Sequence, residues 1–395
     1  MSSERAQGGG PRGGRRAPHH IYLVPGFFGF ANLGDLKYFG HLREFLIGAF
    51  ARRDTDVRVD VVTTRPTASL PRRAERVLAT MAATLEDDGG PVHLIGHSSG
   101  GLDVRLLLDP DVRLPGDVDP APFIGRVRSA VTVATPNHGT PLAGFFASVM
   151  GNQLLQVLSL ATITMLRFGH LPMSAVLQLG AAFARVDGLL GLNSALLDEV
   201  FGKLLADFSP ERRDALSRFF GEVEGDRALL TQLTPDAMEV FDATVRLPPG
   251  VRAGSVVTQA RPPSLGSRWE VGLDPAGQAT YAVYAALHRL ARLPPDRVPP
   301  LDDAQADVLR TAFGTLPDAA ASDGVVPTRS QPWGEVIHAV RADHLDVVGH
   351  YDDQTHDPPH IDWITTGSGC TTERFEALWW AVTEWLLAGP AVTAP

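Results

Sequence analysis

The chain has 395 residues, 44% of them hydrophobic and 20% charged, an ordinary globular balance that excludes a mostly disordered protein. Its formal charge is −10, while the first twenty residues hold four Arg against one Glu, so the main body is acidic and nucleic acid is excluded as its partner. A single cysteine, Cys370, excludes an internal disulfide and a four-cysteine zinc site.

Residues 1–19 contain no apolar core of a secretory signal and read as a flexible basic tail. With the lone cysteine this predicts a cytoplasmic chain, leaderless export being left open. Strand-like runs follow at His20–Val24, Val57–Thr63, Val92–Ile95, Ser129–Ala134, Gly254–Thr258 and Glu335–Val340. Several are continuously apolar, as in strands covered on both faces. Helical patterns lie between them at about 34–52, 71–87 and 99–109, in a long series from about 143 to 242, and at 371–388. That alternation predicts a mostly parallel, doubly wound α/β sheet of about six strands. Roughly 120 residues separate the fourth strand from the fifth, more than one crossover helix needs. A helical cap at 140–245 is therefore expected, inserted in a single domain spanning 20–390. The stretch 144–166 is long enough to span a bilayer. Its Asn152, Gln153 and Gln156 assign it to the fold instead, and no transmembrane span is expected.

Gly96-His97-Ser98-Ser99-Gly100 follows directly on the strand VHLI and opens the helix GLDVRLLL. A turn that tight needs flanking residues without side chains, and it holds Ser98 in a strained conformation with its hydroxyl at the end of the sheet. The helix N-terminus favours developing negative charge, and the Ser99 N–H is one oxyanion donor. A serine hydroxyl is a weak nucleophile until a base takes its proton and a carboxylate orients that base. In this arrangement the chain order is Ser, acid, His. Asp323 in the turn Ser322-Asp323-Gly324 lies beyond the fifth strand, and His344 in Asp343-His344-Leu345-Asp346 follows the sixth. Both occupy carboxyl ends of strands, where sites in open α/β sheets collect. The second oxyanion donor is expected from the loop after the first strand, Pro25-Gly26-Phe27-Phe28-Gly29-Phe30, with the Phe27 N–H as the candidate.

The motifs VPGFFGF, HLIGHSSGGLDVR, TVATPNHGTPLA, LTPDAMEVF, SDGVV and DHLD, in that order, resemble the bacterial triacylglycerol lipases of the α/β-hydrolase superfamily over most of residues 20–388. The resemblance implies Ser98 as nucleophile, Asp323 as acid, His344 as base, and Phe27 and Ser99 as oxyanion donors. It also implies a lipid or ester substrate and a mobile lid within 140–245 whose apolar face meets a lipid–water interface. Acyl transfer, phospholipid or thioester cleavage by the same triad, and a non-catalytic lipid-binding protein of the same fold, stay open. Where the family usually has His-Gly, this chain has Pro25-Gly26, which predicts a changed loop that keeps the Phe27 donor. No organic cofactor is required. A structural calcium is implied for some members through an Asp two residues after the base, here Asp346, with His350 standing where an oxygen ligand is expected. His138 is expected to pack beside the nucleophile. His338 is expected to point from its strand into the fold. His356 and His360 lie four apart in HYDDQTHDPPHID, but two prolines forbid a helix there, and the segment reads as a solvated loop.

Overall fold

The computed structural model describes residues 17–27, 38–184 and 193–389. The tail read over 1–19 lies outside the described residues up to position 16, as do Phe28, Gly29 and Phe30. Six strands, β1 (His19–Val24), β2 (Val57–Val61), β3 (Val92–His97), β4 (Val127–Val133), β5 (Arg252–Thr258) and β6 (Glu335–Val340), form one sheet in the order β2-β1-β3-β4-β5-β6. Every pairing is parallel. β3 runs two residues past Ile95 because Gly96 and His97 continue to pair with Thr132 and Val133.

Alternation along the strands feeds two cores, one on each face. Ile21, Leu23, Ile95 and Val131 pack with Leu42, Leu46 and Phe50 of helix Gly40–Ala51 and with Leu378 and Trp379 of helix Thr372–Leu387. Tyr22, Val24, Leu94 and Ala130 face the other way, onto Ala74, Val77 and Met81 of helix Leu70–Thr84 and Val104 of helix Gly100–Leu107. Burial on both faces explains why β1 and β3 read as unbroken apolar runs. The winding direction reverses between β1 and β3, so the loops leaving these two strands flank a crevice at their carboxyl ends.

Between β4 and β5 the chain forms seven helices among the described residues, from Pro141–Ala147 to Pro235–Thr244. The apolar stretch 144–166 is broken at Ser148, whose hydroxyl accepts the Gly151 N–H and caps a new helix, Val149–Phe168. The two helices meet at 103°, and among the described residues no single helix is long and apolar enough to cross a membrane. Leu154, Leu155, Val157, Leu158 and Leu160 are buried, so the apolar character of this helix is that of a core element. The excursion closes on itself at its base. The Thr140 N–H donates to the Leu233 carbonyl at 2.9 Å. A Cβ on Gly139, whose φ is +84°, would lie 2.7 Å from Pro235 Cα.

Helices Leu265–Glu270, Pro275–Leu290 and Asp303–Phe313 lie outside the helical patterns read from the sequence, although Ala306, Leu309 and Phe313 are buried at helical spacing. Their starts are nevertheless written locally: capping boxes at Ser264 and Asp302, and Asp274 capping a helix with Pro275 in its first turn. Helix Pro275–Leu290 supports the cap by close packing, since a Cβ on Gly180 would meet the Ala279 Cβ at 2.5 Å.

Candidate active site

Ser98 sits at the turn from β3 into helix Gly100–Leu107 with φ of +54°, a left-handed conformation that a non-glycine residue adopts at a cost. The surroundings hold it there. A Cβ on Gly96 would lie 2.4 Å from the Gly100 carbonyl oxygen, and one on Gly100 would lie 2.2 Å from the Val24 carbonyl oxygen. Only glycine fits at either position. The Ser98 N–H completes the β3–β4 ladder by donating to the Val133 carbonyl at 2.8 Å. Gly26 brings the β1 loop directly against the serine, because a Cβ there would be 2.4 Å from Ser98 Cβ and 2.9 Å from its Oγ. Phe27 therefore follows immediately on the point of contact, and Ser99 opens the helix on the other side, where the first amides have no intrahelical acceptor.

Ser98 and the pair Asp323 and His344, more than two hundred positions further along, form one hydrogen-bonded chain. His344 Nε2 lies 2.9 Å from Ser98 Oγ, and His344 Nδ1 lies 2.9 Å from Asp323 Oδ2. All three side chains are buried. Asp323 divides its two oxygens between two tasks. Oδ1 accepts the Val325 and Val326 amides at 2.9 and 2.7 Å and shapes the turn, in which Gly324 takes a φ of +97°. Oδ2 accepts the Thr258 hydroxyl at 2.8 Å and faces the imidazole. Thr258 ends β5, and its own N–H donates to Gln331 Oε1 at 2.7 Å, so the acid is anchored to the sheet. With Oδ2 receiving the Nδ1–H, the Nε2 lone pair is left toward the hydroxyl.

Further side chains to which the sequence reading gave no role support the site. His97 precedes the serine and donates from Nε2 to the His344 carbonyl at 2.8 Å. Its Nδ1 is thereby an acceptor, and the Tyr38 hydroxyl donates to it at 2.6 Å. Burial, reinforced by the neighbouring His344, drives the His97 pKa well down and keeps this ring neutral. His344 is thus held through its backbone as well as through Asp323. On the other face, Arg73 is fully buried and bidentate to Asp103 of the Ser98 helix, with Nη2 2.7 Å from Oδ2. The same guanidinium donates to the Pro25 carbonyl at 2.8 Å. It pins the β1 loop to the helix that opens at Ser98.

The remaining expectations divide. Asp346 is a local hydrogen-bond acceptor, with Oδ2 2.7 Å from the Asp343 amide, while Asp343 Oδ1 returns the pattern to the Leu345 and Asp346 amides at 2.9 and 3.1 Å. Asp362, not His350, joins them: one oxygen from each of Asp343, Asp346 and Asp362 lies within 4.8 Å of the others. Burial pushes the Asp343 carboxyl up to about 7, and burial together with mutual repulsion pushes Asp346 and Asp362 up. A set of close, desolvated oxygen donors fits a hard divalent cation. His350 is instead buried and donates from Nε2 to the Tyr38 carbonyl at 3.0 Å. The solvated-loop reading of 350–362 holds for 352–359, which are exposed except for half-buried Asp353, and fails at His350, Tyr351 and His360, the last buried against the rings of His41 and Tyr351. His138 does not pack on the nucleophile; its Nδ1 pairs with Asp242 at 2.8 Å. His338 is half-buried in β6, and that burial lowers its pKa.

No protein-family model matches the chain, and no curated protein does. Among solved structures it is similar to lipase 1 from Pelosinus fermentans, with 19% identity and a TM-score of 0.51 over 94% of this chain and 98% of that one. It is also similar to EstA from Clostridium botulinum, with 17% identity and a TM-score of 0.50 over 95% of this chain and 88% of that one. At such identities the likeness establishes the fold, which is the α/β-hydrolase fold of bacterial lipases and esterases.

Proposed function

We propose that the chain is a serine carboxylester hydrolase acting on medium- or long-chain acyl esters. The observation that carries this reading is the unbroken relay Ser98–His344–Asp323 at 2.9 Å per step beside a helix N-terminus. Ser98 Oγ attacks the ester carbonyl while His344 Nε2 takes its proton, and Asp323 stabilises the imidazolium that forms. The Phe27 and Ser99 amides receive the developing oxyanion. His344 then gives the proton to the leaving alcohol. Water enters by the same route and releases the acid from the acyl-enzyme.

Ser98→Ala should abolish p-nitrophenyl ester hydrolysis, a loss of roughly 10⁴-fold or more, with the thermal midpoint nearly unchanged. Equal activity in both proteins would defeat the assignment. A fluorophosphonate probe separates an enzyme from a lipid-binding protein by labelling at Ser98, and product analysis with an added alcohol separates hydrolysis from acyl transfer.

Asp343, Asp346 and Asp362 would hold a structural calcium, which supplies charge compensation beneath the base loop and takes no part in the relay. The helices of 140–245 act as a lid toward a lipid–water interface. Exposed apolar side chains support this: Val149 and Met150 at the bend, Met173 and Leu177 beyond it, and Leu265, Trp269 and Leu273 beside the supporting helix.

A further inference from the structure

We propose that His41, His356 and His360 form a binding site for a late first-row divalent ion, with zinc as the expected occupant. One ring nitrogen from each lies within 4.8 Å of the other two. The three rings line a cavity of about 230 Å³ together with Glu44, Thr372 and Glu376. His41 comes from the first turn of helix Gly40–Ala51, and the other two come from the loop after the base. The prolines that forbid a helix in this loop do not prevent convergence, because the third ring arrives from a distant element.

The hydrogen bonds leave each ring one protonated nitrogen and one that carries a lone pair, that of His360 Nε2 facing the Tyr351 hydroxyl at 3.1 Å. His356 Nδ1 donates to the Pro358 carbonyl at 3.0 Å, and His360 Nδ1 donates to the Gly349 carbonyl at 2.7 Å. Their Nε2 atoms keep the lone pair. The His41 ring bonds the Pro359 carbonyl, while its Nδ1 is buried with no partner. A buried polar atom without a partner carries a desolvation cost that a ligand removes. A ring N–H held by a backbone carbonyl, with the opposite nitrogen free, is the arrangement that fixes a metal-ligating histidine. Three imidazoles select zinc, nickel or copper over calcium, and a fourth, tetrahedral position falls to water or to Glu44 at the rim.

The loop is already fastened in place. Asp353 and His360 exchange backbone hydrogen bonds at 3.3 and 2.9 Å. Gly349, with φ of +106°, passes so close that a Cβ would lie 2.9 Å from the His41 Cβ. His360 is sandwiched between Tyr351 at 4.2 Å and His41 at 3.8 Å, centroid to centroid. Coordination asks His41 to tilt out of this stack so that its in-plane lone pair meets the ion. The Tyr351 hydroxyl, now 3.1 Å from His360 Nε2, has Thr372 Oγ1 as a second acceptor at 3.1 Å. The ion would join the helix that begins two residues after Tyr38 to the loop that leaves the base, and so act as a brace outside the proton relay.

The test uses untagged, EDTA-treated full-length protein returned to a buffer with excess calcium, titrated with zinc by calorimetry and with cobalt(II) by its tetrahedral absorption bands. One equivalent is expected to bind in the micromolar range or tighter and to raise the thermal midpoint. His356→Ala, at an exposed position, and His41→Gln should each weaken binding by more than about tenfold while retaining esterase activity. Absence of saturable binding overturns the proposal, as does one equivalent bound equally by wild type and both variants.

Discussion

At the scale of the residue, Asp323 both shapes a turn and bonds an imidazole. Its two oxygens face opposite ways, one closing the Asp-Gly turn and the other meeting His344. Ser98, Asp323 and His344 were legible because each stands in a local pattern tied to a strand end. Tyr38, His97, Arg73 and Thr258 were not, because their significance lies in partners across the fold. His97 and His344 are 247 positions apart, and no periodicity links them. Tyr38→Phe tests the hidden part. Removing the hydroxyl leaves the buried His97 Nδ1 without a donor, which should cost ~1–3 kcal/mol of stability and lower kcat by roughly tenfold, about 1.4 kcal/mol, at unchanged KM. Kinetics and a melting curve identical to wild type would show that His97 does not steady the base.

At the scale of the element, strands were easier to read than helices. Continuous apolar runs bounded by turns mark buried strands clearly, whereas three helices after β5 are marked most sharply by their caps. The apolar middle was long enough for a membrane span by composition, and a single capping serine, Ser148, divides it into two helices at 103°. What this leaves at the surface matters for the substrate. Trp269 and Leu273 are 77% and 89% exposed, beside the helix on which the cap rests. Seating two such side chains in lipid is worth a few kcal/mol, so Trp269→Ala/Leu273→Ser should cut hydrolysis of an emulsified triglyceride by roughly tenfold. Turnover of a short soluble ester should be unaffected. Equal losses on both substrates would place these residues in folding or chemistry, not at an interface.

At the scale of the whole molecule, six parallel strands and an insertion after the fourth were readable from alternation and spacing alone. The sheet order and the sharing of its two faces between separate cores required the coordinates. The same holds for the acidic cluster, since Asp362 enters it from a loop that no motif connects to the base. If calcium fills that cluster, chelation by EDTA should lower the thermal midpoint by several degrees, a change of about 1–2 kcal/mol. Calcium should restore it, and Asp362→Asn should respond to neither. A wild-type midpoint indifferent to both treatments would remove the ion from the reading.

The amide–carbonyl bond between Thr140 and Leu233, with Gly139 pressed against Pro235, has a consequence for how such a chain diversifies. The described chain between those residues leaves the sheet and returns to it there, while its helix Met173–Ala184 leans on helix Pro275–Leu290. That junction abuts the Asp323 turn, since the Thr140 hydroxyl donates to the Val325 carbonyl and the Ser330 hydroxyl donates to the Gly139 carbonyl. Extra length in the detour costs little loop entropy, so what limits its variation is this junction, two residues from Asp323.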